Sequence, residues 1–160
     1  MKKIVLLLIF CCVLFGCSDR YANWKTVTVE HYGTIKVPSE WEYREENDYL
    51  FFYIVDEQNN EEYQLVQYSN DNGLNDYFQD ILEVENWECI TSEVFSNSAV
   101  IRKEKILFKT GEAEEVFTID LSGYSDGDPY GDTINFVFLN TSISEELAKD
   151  IAKSYVMDIS

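Results

Sequence analysis

Leu50-Phe51-Phe52-Tyr53-Ile54-Val55 is the stretch on which the fold turns. The run is continuous and apolar, as in a central buried strand. Asp56-Glu57-Gln58-Asn59-Asn60-Glu61 follows as a polar turn, and Glu62–Tyr68 returns as a strand, so the pair predicts a hairpin. Moving toward the N-terminus, Lys25–Val29 alternates and Tyr32–Val37 is rich in β-formers. Pro38 stops that run, because proline has no N–H for a ladder.

Moving toward the C-terminus, Asn70-Asp71-Asn72-Gly73 is a turn cluster. Leu74, Tyr77, Phe78, Ile81 and Leu82 then recur at helical spacing and predict an amphipathic helix. Strands are expected at Trp87–Phe95, Ala99–Phe108, Glu114–Leu121 and Thr133–Leu139, with a hairpin turn at Lys109-Thr110-Gly111-Glu112. Ser144 is a good N-cap for a last helix, with Glu145 and Glu146 where the macrodipole favours negative charge. Ser142 with Glu145 is an alternative capping box. Leu147, Ala148, Ile151, Ala152, Tyr155 and Ile159 give that helix one apolar face. There is no internal repeat and no interdomain linker. The expected fold is a single α+β domain over 25–160, a mainly antiparallel sheet flanked by helices.

The chain has 160 residues, 30 of them acidic and 12 basic, for a formal net charge of −18. Such acidity argues against nucleic acid as a partner, since a polyanion is repelled. An apolar fraction of 46% argues against global disorder.

Met1, Lys2 and Lys3 form a positive start, and Ile4–Phe15 makes twelve consecutive apolar residues before Gly16, Cys17 and polar Ser18. That pattern is a secretory leader, and the run falls short of the ~18 residues a membrane-spanning helix needs. Leu14-Phe15-Gly16-Cys17 resembles the lipobox of bacterial lipoproteins, with a bulkier residue than usual at Phe15. The resemblance implies a signal peptide over 1–16, cleavage before Cys17, and a diacylglycerol on the Cys17 thiol. Residues 17–24 become a short lipidated tether, and the domain is held at the extracytoplasmic face of the cell membrane. Cys11 and Cys12 leave with the leader, so Cys89 remains without an intramolecular disulfide partner and reads as a small buried hydrophobe.

A second resemblance is carried by Tyr32-Gly33-Thr34-Ile35-Lys36-Val37-Pro38-Ser39-Glu40-Trp41. An aromatic-Gly strand ending in Pro-x-x-Trp is similar to the opening of PsbP-like proteins, which include small bacterial lipoproteins. The C-terminal strands and the Ser-Glu-Glu-Leu helix are also similar in layout. The resemblance implies an α/β/α sandwich and transfers no functional residue.

Chemistry-bearing motifs are few. His31 is the only histidine, so any histidine-assisted nucleophile must use it. Its place at a strand edge reads as a partly exposed structural residue. Neither a Gly-x-Gly-x-x-Gly nor a Walker pattern occurs. The metal candidate is Asp126-Gly127-Asp128-Pro129-Tyr130-Gly131-Asp132. Asp126, Asp128 and Asp132 supply hard oxygens suited to calcium, but Tyr130 and Val137 stand where an EF-hand-type loop needs further ligands. An acidic loop joining two strands is the plainer reading. Tyr124 and Tyr130 are expected to be exposed there, as a recognition tip of aromatic and carboxylate groups.

These observations point to a non-enzymatic, membrane-anchored binding or adaptor module that meets an envelope protein or glycan. The alternatives are a calcium or small-ligand module through loop 124–132, and a glycan hydrolase using two of the many carboxylates.

Overall fold

The computed structural model describes residues 23–46, 49–68, 84–123, 133–140 and 142–158. The run at 50–55 lies within strand β4 (Tyr49–Val55), between β3 (Glu42–Glu46) and β5 (Glu61–Tyr68). The N-terminal pair is β1 (Trp24–Val29) and β2 (Gly33–Pro38). The later strands are β6 (Val84–Val94), β7 (Val100–Phe108), β8 (Ala113–Ser122), β9 (Thr133–Phe138) and a two-residue β10 (Val156–Met157). One helix, α1 (Glu145–Lys153), stands between β9 and β10.

Seven strands form one sheet in the order β3-β4-β5-β9-β8-β7-β6, and β1-β2-β10 forms a second. Every neighbouring pair is antiparallel. The hairpins expected at Asp56–Glu61 and Lys109–Glu112 are both present. Gly111 N–H donates to the Phe108 carbonyl at 2.8 Å, and Asn59 takes a left-handed φ of 63° that suits asparagine in a tight turn.

The expected α+β sheet flanked by helices, and the α/β/α sandwich implied by the PsbP-like resemblance, are overturned. Strands dominate the described residues, and α1 is nine residues long. The physical reason is visible in β1 and β2. Val27, Val29, Ile35 and Val37 alternate onto one face and are buried in the same core as Phe52, Leu65, Ile119, Phe136 and Phe138. Much of the cover that helices would give the seven-stranded sheet is therefore given by a second sheet. Phe52 anchors that core, with ring centroids 6.5 Å from Trp41 and 6.2 Å from Phe136. The helix expected over 74–82 lies outside the described residues.

Helix α1 begins as expected, with the Ser144 hydroxyl accepting from Leu147 N–H at 3.1 Å. It ends earlier than its apolar spacing predicts. The Ser154 hydroxyl donates to the Ile151 carbonyl at 2.6 Å and accepts from Lys36 N–H at 2.8 Å. The chain then leaves the helix, and Val156 and Met157 pair with Thr34 and Gly33. Tyr155 is thus buried in the junction rather than on a helix face.

Cys89 is also corrected. It is exposed, because β6 is an edge strand whose side chains are mostly at the surface.

Candidate ligand-binding cavity

A cavity of about 560 Å³ opens between the β1–β2 turn and one end of the large sheet. Val29, Leu50 and Ile134 supply its apolar lining, Glu30, Glu45 and Gln67 its polar groups, and Tyr32 an aromatic ring. The volume falls in the range of small-molecule sites, roughly 300–1,000 Å³. Register explains why these residues meet. Glu45 pairs with Leu50 on β3–β4, and Leu50 N–H donates to the Gln67 side-chain oxygen at 3.0 Å.

The roof of the cavity is the turn Val29–Gly33. Tyr32 N–H donates to the Val29 carbonyl at 3.0 Å, closing the turn. His31 holds a φ of 66°, a conformation that costs on the order of 1 kcal/mol for a non-glycine residue. Its Nε2 lies 3.7 Å from a Glu30 carboxylate oxygen, with both side chains exposed. The sequence expected a partly exposed structural histidine, and the structure places it on the cavity wall.

Tyr155 locks this region from behind. Its hydroxyl lies 2.8 Å from the Tyr32 carbonyl oxygen in the β1–β2 turn and 2.6 Å from the Ser122 carbonyl oxygen on β8, and shares its proton between them. Burial pushes its pKa up to about 12, so the phenol stays a donor across the physiological range.

Of the residues expected at a site, Cys17, Tyr124, Asp126, Asp128, Tyr130 and Asp132 lie outside the described residues. The strands that carry the 124–132 loop are described. Ser122 pairs with Thr133, and Ile134, one residue on, lines the cavity. The strand ends Ser122 and Thr133 are therefore at the cavity end of the sheet. Among the described residues, no three His, Cys, Asp or Glu side chains gather as a metal-ion group.

A second polar cluster escaped the sequence. On the opposite face of the large sheet, Arg102 pairs with Asp120, and the Trp87 indole N–H donates to Glu104. Burial pushes the carboxyls of both Glu104 and Asp120 above their ordinary range. The Trp87 hydrogen bond opposes that push at Glu104, and Arg102 opposes it at Asp120. Asp120 Oδ1 and both polar atoms of the Asn135 amide, which stands directly across from it, have no hydrogen-bond partner among the described residues. Arg102-Lys103-Glu104-Lys105 reads as a charged surface run, and only the pleat separates its two faces.

The chain matches no protein-family model, no curated protein matches it, and no solved structure matches it.

Proposed function

We propose that this chain is a lipid-anchored binding module at the extracytoplasmic face of a bacterial membrane, tethered through Cys17. The cavity beneath the β1–β2 turn takes its ligand. The observation that carries this reading is the composition of the cavity: an apolar lining with Glu30 and Glu45 among its polar groups. A carboxylate-bearing cavity in a chain of net charge −18 selects for an organic cation with an apolar body. The leader residues Leu14-Phe15-Gly16-Cys17 support the anchor.

Two measurements test the reading. Cys17→Ala should move the chain from the membrane pellet to the soluble fraction, and retention in the pellet would remove the anchor. Tryptamine, an amphipathic ammonium probe, should bind the full chain saturably in calorimetry. Glu45→Gln should weaken it about threefold, the worth of one solvent-exposed charge contact. Absence of saturable binding would remove the cavity from the function. Asp126, Asp128 and Asp132, by their oxygen donors alone, make calcium binding a second reading. A saturable calcium response abolished by Asp128→Ala would move the ligand from cavity to loop.

A further inference from the structure

Strand β6 is the end strand of the seven-stranded sheet, and among the described residues its only paired neighbour is β7. It runs eleven residues, Val84-Glu85-Asn86-Trp87-Glu88-Cys89-Ile90-Thr91-Ser92-Glu93-Val94. Long edges present unpaired N–H and C=O groups that accept another strand, and proteins commonly blunt them with lysine, proline or brevity. This edge is long and lacks lysine and proline, and what blunts it against its own kind is acidic charge and bulging. It carries glutamates and two bulges, at Val84/Asn86 and Cys89/Thr91. It also leaves apolar side chains at the surface, with Ile90 45% and Val94 70% exposed. The opposite edge differs. β3 is five residues long, and the Arg44 guanidinium reaches across β4 to Glu61 on β5.

We propose that the outer edge of β6, which no other described strand pairs, is a docking rail for an extended polypeptide segment of another protein, one that alternates cationic and apolar side chains. The segment adds as an eighth strand to the sheet. Main-chain hydrogen bonds supply the attachment, and side chains supply the choice of partner. Glu85, Glu88 and Glu93 are the strand's charged residues; Glu93 is ion-paired with Lys149 at 2.8 Å, so Glu85, Glu88 and the net charge of −18 are what favour a cationic segment. Cross-strand register places Glu88 on one face of the sheet and Trp87 and Val94 on the other. A segment with period-two alternation therefore meets carboxylate on one face and apolar surface on the other. A second copy of this chain fits less well. Antiparallel self-pairing centred on Cys89 sets Glu85 against Glu93 at both ends, and brings together two strongly acidic bodies.

The test is fluorescence anisotropy of a dye-labelled peptide alternating lysine and valine, titrated with the full chain in detergent micelles. The same peptide with alternate backbone nitrogens methylated has the same charge but cannot complete a ladder. Saturable binding is expected for the first peptide. It should be about tenfold weaker for the methylated peptide and for the Glu85→Lys/Glu88→Lys variant. Circular dichroism of that variant should match the parent, since both side chains are exposed. Three results would overturn the proposal: no binding, equal binding of the methylated peptide, or sedimentation of the chain as a dimer that the same two substitutions dissociate. The third outcome would assign the edge to a second copy.

Discussion

Replacing Gly33 by alanine is expected to detach β10 from β2 and to destabilise the domain by about 2–4 kcal/mol. Gly33 holds a φ of +142°, where side-chain-bearing residues are strained. A Cβ built there falls 2.1 Å from the Val156 carbonyl oxygen and 2.8 Å from Asp158 N. Both are backbone atoms, so no rotamer change relieves the overlap. The close approach is what lets Met157 pair with Gly33 and Asp158 N–H donate to the Tyr32 carbonyl at 2.9 Å. Urea denaturation should give a lower midpoint, and amide exchange at Val156 and Asp158 should accelerate ahead of the core strands. A midpoint within error of the parent would show that β10 contributes nothing to closing the small sheet. Because Tyr32 lines the cavity and leads directly into Gly33, the variant should also weaken ligand uptake there.

Removing the Arg102 guanidinium is the second large effect. Arg102→Ala leaves the Asp120 carboxylate buried without its cation, which costs about 3 kcal/mol at neutral pH. The loss should shrink on acidification, because Asp120 then takes up a proton. The sign follows from the direction of the shifts. Burial holds the folded-state pKa values of Asp120 and Glu104 above their unfolded values. Their contribution to stability is fully present below the unfolded carboxylate range and is lost as pH rises through the raised values. Moving from pH 7 to about pH 5 should therefore raise the melting temperature of the parent chain, assisted by relief of self-repulsion at net charge −18. The rise should be larger in Arg102→Ala. Asp56 and Glu145, whose pKa values are lowered by Asn60 and Lys149, act in the opposite sense only below the ordinary carboxylate range. Thermal melts at the two pH values decide the matter. A parent that melts lower at about pH 5 would mean that these two carboxyls do not govern the acid response.

Local order along the chain was legible in the sequence wherever a period or a turn signal carried it. The apolar run at 50–55, the alternation at 25–29, the turn at 109–112 and the Ser144 cap all specify their elements through near neighbours. Covalent geometry and local hydrogen bonding act over a few residues, so the sequence displays them directly. Four features depended on how the strands assemble. Sheet β1-β2-β10 covers the large sheet in place of expected helices because two short hydrophobic patterns share one core with residues about a hundred positions away. The exposure of Cys89 followed from strand order, since a strand's own residues do not say whether it lies at the centre or the edge. The cavity joins Glu30, Glu45, Gln67 and Ile134 from four separate strands or turns. The Arg102–Asp120 pair likewise exists because β7 and β8 align Arg102 with Thr118, placing Asp120 on its diagonal. By itself the sequence determined most of the described strands, the Ser144 cap and the acidity. Only tertiary structure decided which faces are covered and which carboxylates are buried, because burial is a property of the neighbours a side chain acquires.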